Sequence, residues 1–96
     1  MTSKQRAYLR GLANTIDAIF QIGKSGVSDN LIKQLSDALE ARELIKISVL
    51  ETAPEAAKAL GNKIAEATNS TLVQVVGNKI TLYRPRKKDS KIVLPQ

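Results

Sequence analysis

A short loop bracketed by two glycines, Gly23-Lys24-Ser25-Gly26, has the residue types and spacing best suited to binding a ligand. An apolar segment at 18–22 precedes it, and an amphipathic helix pattern that begins after Ser28 follows it. Glycine permits a positive φ and a close approach of the backbone to a ligand. The start of a helix offers unpaired amides and a partial positive charge, to which Lys24 adds a full charge. This combination is typical of a phosphate-binding site.

The composition favours a small domain that binds a polyanion. The chain has 96 residues, which suits one domain, and its 15 Lys and Arg against 9 Asp and Glu give a formal net charge of +6. The aromatic residues are Tyr8, Phe20 and Tyr83, which argues against a binding mode that stacks many bases.

Several absences restrict the chemistry. There is no His, the commonest general base and metal ligand, and no Cys. We therefore expect no enzyme activity, no cofactor, no metal and no small-molecule substrate. No apolar run is long enough to span a membrane, and the charged N-terminal segment does not resemble a signal peptide. We expect a cytoplasmic protein that does not bind membranes.

Hydrophobic periodicity predicts the element order α-β-α-β-α-β-β. The predicted helices cover 3–14, a segment from the Ser28 cap to about Ala41, and a segment opened by a capping box at Thr52–Glu55. The predicted strands cover 18–22, 44–50, Thr71–Val76 and Lys79–Arg84, with Gly77-Asn78 as the turn between the last two.

This order predicts a two-layer α/β sandwich with a mixed four-stranded sheet and helices mainly on one face. The strand at 44–50 alternates, with apolar residues on one side and Lys46 and Ser48 on the other. In the last strand Thr81 and Tyr83 are expected to face outward. The two strand–helix–strand crossovers predict parallel neighbouring strands, and the closing hairpin predicts one antiparallel strand.

The loop alone is compatible with three interpretations. A nucleotide-binding P-loop, G-x-x-x-x-G-K-[ST], needs glycine at the position of Ala18, and a four-residue turn is too short to wrap a triphosphate. A KH-type G-x-x-G loop that holds single-stranded RNA matches the chemistry, but it joins two helices rather than a strand and a helix. The loop could also be only a tight turn. The lysine, the following helix and the basic domain favour binding to a nucleic-acid backbone.

Three segments in order resemble the YhbY-type proteins, single-domain members of the CRM family (chloroplast RNA splicing and ribosome maturation). They are Lys4–Arg10, Gln21–Gly26 and Ala38–Lys46, and the resemblance covers about residues 2–84. It implies an RNA-binding domain similar in fold to the C-terminal domain of bacterial translation initiation factor three. It also implies an association with precursors of the large ribosomal subunit. We expect a CRM domain at 1–84 and a basic tail at 85–96.

The resemblance also implies which residues contact RNA. It places the contact loop on Gly23, Lys24, Ser25 and Gly26 and a basic first helix on Lys4, Arg6 and Arg10. Charge alone adds Arg84, Arg86, Lys87 and Lys88.

The expected partner is ribosomal RNA, bound by a monomer that acts as a ribosome assembly factor. In this hypothesis the amides of Gly26 and of the next helix's first turn bind a backbone phosphate, and Lys24 pairs with it. DNA binding, and docking on a ribosomal protein through the apolar end Ile92–Leu94, remain as alternatives.

Overall fold

The helices and strands follow each other in the predicted order in the computed structural model, which describes all 96 residues. The helices are α1 (Ser3–Ala13), α2 (Asp29–Arg42) and α3 (Ala57–Thr68). The strands are β1 (Phe20–Ile22), β2 (Leu44–Val49), β3 (Thr71–Val76) and β4 (Lys79–Tyr83). None of the helices combines the length and the apolar composition needed to cross a membrane.

The first two helices begin where their caps predict. The Gln5 amide donates to the Thr2 hydroxyl and the Thr2 amide donates to the Gln5 side chain, both at 3.1 Å, which forms a reciprocal capping box. The Leu31 amide donates to the Ser28 hydroxyl at 3.1 Å. A cap of this kind contributes about 1 kcal/mol to helix stability.

The third helix begins later than predicted, and the capping box at Thr52–Glu55 is wrong. Ala56 occupies the cap position without a side-chain hydrogen bond, and the helix starts at Ala57. The preceding residues form a loop in which Ala53 packs against the core and its amide donates to the Leu50 carbonyl at 3.0 Å. Tertiary packing of this loop therefore overrides the local capping preference.

The four strands form one mixed sheet in the order β1-β2-β4-β3. β1 pairs with β2 in parallel, and β4 pairs antiparallel with both β2 and β3. The expectation of parallel neighbours is confirmed for β1 and β2 but is wrong for β2 and β3. These two strands run in the same direction, but β4 returns from the Gly77-Asn78 turn and lies between them.

The larger core lies between the first face of the sheet and helices α2 and α3. Its eleven buried residues are Ile22, Leu35, Leu39, Ile45, Ile47, Val49, Leu60, Ile64, Ala65, Ile80 and Leu82. Gly61 allows α3 to approach the sheet closely, because a Cβ at this position would lie 3.1 Å from Cδ1 of Leu72. Two of the three helices thus share one face, as the strand patterns predict.

Helix α1 covers one end of the opposite face, which we call the second face. A smaller core there consists of the buried residues Leu9, Ala13, Leu44, Val73 and Tyr83, with Ile92 and Leu94 packed against it. The expectation that Thr81 and Tyr83 face outward into solvent is therefore wrong. Tyr83 is buried under α1 and the C-terminal segment, and Thr81 lies buried in the middle of the same face.

A β-bulge at Val73 adapts the edge strand β3 to this second core. Leu72 pairs with Leu82 and Gln74 pairs with Thr81, so Val73 is the extra residue. The bulge leaves backbone carbonyls free on the edge of the sheet. Nη1 of Arg6 donates to the carbonyls of Leu72 and Val73 at 2.7 and 2.9 Å. Arg6 thereby fixes α1 to the bulge and satisfies an exposed strand edge.

The carboxylate of Glu43 fixes the C-terminal segment to the domain. Glu43 ends α2 with a φ of 68° and is 1% exposed. Its side-chain oxygens accept hydrogen bonds from the Ser90 hydroxyl and from the amides of Arg86, Lys91 and Ile92. Its own carbonyl accepts from the Arg84 amide at 2.9 Å. One residue thus connects α2, the end of β4 and the tail.

The surroundings of Glu43 shift two pKa values. Burial opposes the charged carboxylate, but the hydrogen bonds from Ser90, Arg86, Lys91 and Ile92 outweigh it and hold the pKa of Glu43 below its usual value of 4.5. Burial and the nearby negative charge of Glu43 raise the pKa of the Tyr83 phenol. The arrangement therefore favours an ionised Glu43 beside a neutral Tyr83.

The β1–α2 loop rests on the β2–α3 loop through Gly26. Gly26 has a φ of 66°, and a Cβ at this position would lie 3.0 Å from Cγ of Pro54. Gly23 does not have a positive φ, and a Cβ there would meet Thr52 Oγ1 at 3.4 Å, an ordinary contact. Only the second glycine of the pair is therefore required by the backbone.

We expect Glu43→Gln to lower the free energy of unfolding by about 2 kcal/mol at pH 7, because a neutral amide accepts fewer of the four hydrogen bonds. The pKa of Glu43 in the folded protein lies below 4.5. The difference in free energy of unfolding between the wild type and the variant is therefore fully present above pH 4.5, and it disappears as the pH falls through the folded pKa. Urea denaturation of both proteins between pH 7 and pH 3 measures this difference. Glu66→Gln, at an exposed carboxylate, is the control. A wild-type advantage unchanged with pH would contradict this role.

We expect Gly26→Ala to destabilise the protein by about 1–2 kcal/mol, because alanine is strained at positive φ. Gly23→Ala should change stability by less than about 0.5 kcal/mol. Thermal melts of the two variants make the comparison. Equal losses at the two positions would show that the turn, rather than Gly26 alone, requires glycine.

Candidate nucleic-acid interface

The loop at Gly23–Gly26 is a tight turn with Lys24 and Ser25 at its apex. The Gly26 amide donates to the Gly23 carbonyl at 2.9 Å and closes the turn. Lys24 and Ser25 are both exposed. The turn follows directly after β1, at the end of the sheet where β2 also ends, and precedes the Ser28 cap of α2.

The turn corrects one part of the expected phosphate contact. The Gly26 amide already donates within the turn, so it is not free to bind a phosphate. At the start of α2, the Leu31 amide donates to the hydroxyl of Ser28, and Asp29 adds a negative charge to the first turn. The amides of Lys24 and Ser25 at the apex donate to no acceptor in the protein, and neither do those of Asp29 and Asn30 in the first turn of α2.

Lys24 supplies an unpaired positive charge beside these amides. The two ion pairs of the protein join Lys63 to Glu55 at 2.6 Å and Arg84 to Glu40 at 4.0 Å, so Lys24 takes part in neither. The first of these pairs also offsets a carboxylate of the neighbouring β2–α3 loop. A cation held on a rigid turn next to free amides is a suitable receptor for a single phosphate.

The basic residues of α1 have different surroundings. Nη1 of Arg6 donates to two β3 carbonyls, so the structure gives this residue a structural role. Lys4 is exposed, and its ammonium donates to the Gln96 carbonyl at 3.3 Å. Arg10 is exposed, and its side chain makes no hydrogen bond or ion pair within the protein. Arg10 is therefore the freest cation of the helix.

Arg84 is also structural rather than available. Its guanidinium donates to the Ser36 carbonyl at 2.7 Å, to the Ser36 hydroxyl at 3.0 Å and to the Thr68 carbonyl at 2.8 Å. These contacts tie the end of β4 to α2 and to the end of α3. The assignment of Arg84 to an RNA contact does not fit this geometry, because its donors are turned inward.

The structure does not bring the basic tail to the loop. Arg86 is held near Glu43 through its amide, at the start of β2, whereas the loop lies at the opposite end of that strand. The six residues of β2 span roughly 17 Å. Lys87 and Lys88 are exposed. Any RNA that contacts both regions must therefore extend along the sheet.

The apolar C-terminal end is largely used inside the protein. Ile92 and Leu94 pack against the second core, while Val93 is 77% exposed. The three-residue patch Ile92–Leu94 is thus not a free docking surface.

Two lysines that the sequence analysis did not assign to the site lie on the second face. Lys46 and Lys79 occupy outward positions of β2 and β4, and neither belongs to an ion pair. The alternation of residues 44–50 already places Lys46 on the polar side of its strand. That Lys46 lies near Lys79 depends on the pairing of β2 with β4, which the sequence analysis did not predict.

Comparison with known proteins assigns a family. The sequence-family model described as the CRS1 / YhbY (CRM) domain matches residues 1–84 of the chain. The chain is 46% identical over 95 residues to the probable RNA-binding protein YqeI of Bacillus subtilis, covering 99% of both chains. It is 31% identical over 96 residues to an RNA-binding protein of Haemophilus influenzae, covering 100% of this chain and 96% of that one.

A solved structure has the same fold. The solution structure of SAV1595 from Staphylococcus aureus is 52% identical and superposes with a TM-score of 0.82 over 99% of each chain. The expected α/β fold with three helices and a mixed four-stranded sheet is confirmed. The family match and the shared fold agree with the motifs in the first helix, the glycine loop and the end of α2, and the chain belongs to the CRS1 / YhbY (CRM) domain family.

Proposed function

We propose that this protein binds RNA and that the turn at Gly23–Gly26 holds a phosphate of the RNA backbone. The observation that carries the proposal is the apex of the turn, where the exposed Lys24 lies beside two amides with no acceptor in the protein. The formal net charge of +6 and the RNA-binding relatives support the same partner.

The proposed contacts are mainly electrostatic. Lys24 pairs with a phosphate while the amides of Lys24 and Ser25 donate to its oxygens. Lys4, Arg10, Lys87 and Lys88 hold flanking parts of the strand, whereas Arg6 and Arg84 keep the framework in place. Contacts of this kind position an RNA and carry little sequence information. Recognition should therefore depend mainly on RNA shape and on 2′-hydroxyl groups.

The finer proposal is a non-enzymatic ribosome assembly factor that acts as a monomer on ribosomal RNA of the large-subunit precursor. It rests on the resemblance to the YhbY-type proteins. Crosslinking in cells followed by sequencing of the bound RNA tests it. Enrichment of large-subunit precursor RNA is the expected result, and a spread of unrelated transcripts would contradict the assignment. Competition between matched RNA and DNA oligonucleotides separates RNA binding from general nucleic-acid binding.

We expect Lys24→Ala to weaken binding to a single-stranded RNA about fivefold at 0.1 M salt, because one phosphate contact is lost. The melting temperature should not change, since Lys24 is exposed and makes no ion pair. Fluorescence anisotropy measures the affinity. Lys33→Ala removes the same charge from an exposed position on α2 and serves as the matched control. Equal losses in the two variants would mean that the loop contributes only net charge.

Affinity should also depend strongly on salt. If about five phosphates are neutralised, the logarithm of the binding constant falls with the logarithm of the salt concentration at a slope of roughly −3.5. Anisotropy titrations from 50 to 300 mM salt measure this slope. A flat response would rule out electrostatic binding through these residues.

A further inference from the structure

The second face of the sheet is covered over only part of its area. Helix α1 packs on the end that carries Leu44, Val73 and Tyr83. The remaining part, which we call the open half, has polar side chains on all four strands. They are Gln21, Lys46, Ser48, Gln74 and Lys79, and the exposed Val76 opposite Lys79 is an apolar residue on the same surface.

The open half adjoins the glycine turn. Gln21 lies two residues before Gly23 and is in register with Ser48, which in turn pairs with Lys79. This row of residues crosses the sheet from the base of the turn. A strand of RNA that leaves the turn on this side would therefore meet the open half first.

The charged residues of the open half are all positive. None of the nine Asp and Glu residues lies in a strand, whereas the strands contain two lysines, both on the second face. Lys79 donates only to the Ser48 hydroxyl, so its charge is not neutralised by a carboxylate. Unpaired cations on a mainly polar sheet surface favour a polyanionic ligand over an apolar one.

The spacing of the two lysines suits successive phosphates. Lys46 is opposite Thr81 and Lys79 is opposite Ser48, so the two lysines form a diagonal pair on neighbouring strands. The Cα atoms of such a pair lie about 7–8 Å apart. Arg10 lies one turn after Arg6 on α1, and Lys4 near the start of that helix contacts Gln96 of the C-terminal segment.

We infer that the open half is a second RNA-binding surface, on which Lys46 and Lys79 contact phosphates of the strand held by the glycine turn. The inference rests on the proposed function, because it takes the RNA bound at Lys24 as its starting point. It assigns a direction to the bound strand, from the turn across β2 and β4 toward β3. The length of RNA covered is then greater than one turn can hold.

The test combines two replacements, Lys46→Gln and Lys79→Gln, which keep polar side chains on the strands. Binding of a fluorescein-labelled twelve-nucleotide oligouridylate is measured by anisotropy at several salt concentrations. The double variant should bind on the order of tenfold more weakly, and its salt slope should be less steep by about 1.4, because each phosphate contact contributes about 0.7. The matched control removes Lys33 and Lys58, two exposed lysines of α2 and α3 that belong to no ion pair, and should lose no more than about twofold.

Lys24→Ala in the same assay separates the two proposals. The inference is overturned, and the proposed function kept, by the following result. The variant at Lys46 and Lys79 loses no more affinity for the oligonucleotide than the control variant does, while Lys24→Ala loses more. Absence of binding by the wild-type protein overturns the proposed function itself. A loss at the sheet without one at Lys24 supports the sheet surface and overturns the contact at the turn.

Nuclear magnetic resonance on the wild-type protein provides a measurement that does not depend on the folding of a variant. On addition of the same oligonucleotide, the amide signals of Lys46, Ser48 and Lys79 should shift together with those of Lys24 and Ser25. Shifts confined to the turn would contradict the inference.

Discussion

The buried carboxylate of Glu43 accepts the hydrogen bonds on which the position of the C-terminal segment and the second core depend. It accepts hydrogen bonds from the tail amides of Arg86, Lys91 and Ile92, while its carbonyl accepts from Arg84 at the end of β4. These bonds hold the tail where Ile92 and Leu94 complete the second core. Without this anchor, α1 would lose part of the surface against which it packs, and a larger area of the second face would be exposed.

The basic residues divide into two groups with different physical roles. Arg6 and Arg84 direct their planar guanidinium groups to backbone carbonyls at the edges of the framework. Arginine suits this role because its donors have a fixed geometry. Lys24, Lys46 and Lys79 remain outside ion pairs, around one end and one face of the sheet. In the proposed function, the first group positions the surface and the second group supplies its attraction for RNA.

The glycine turn shows how a motif can suggest the right region and the wrong atoms. The spacing of Gly23 and Gly26 indicates a tight turn, and the turn is present. Closing it uses the Gly26 amide, which is therefore not available to a phosphate. The positive φ and the contact with Pro54 explain why glycine is needed at position 26 and not at 23. Which atoms remain free could not be predicted from the pattern alone.

The sequence by itself determined the features that depend on neighbours in the chain. These include the element order, the caps at Thr2 and Ser28, and the alternation that places Lys46 on a polar side. Tertiary structure alone decided the insertion of β4 between β2 and β3, the bulge at Val73 and the burial of Tyr83. Local propensity and periodicity act within a few residues, so they fix helices and strands. Strand order, edge satisfaction and the free or occupied state of each cation depend on contacts between distant segments, which no local pattern encodes.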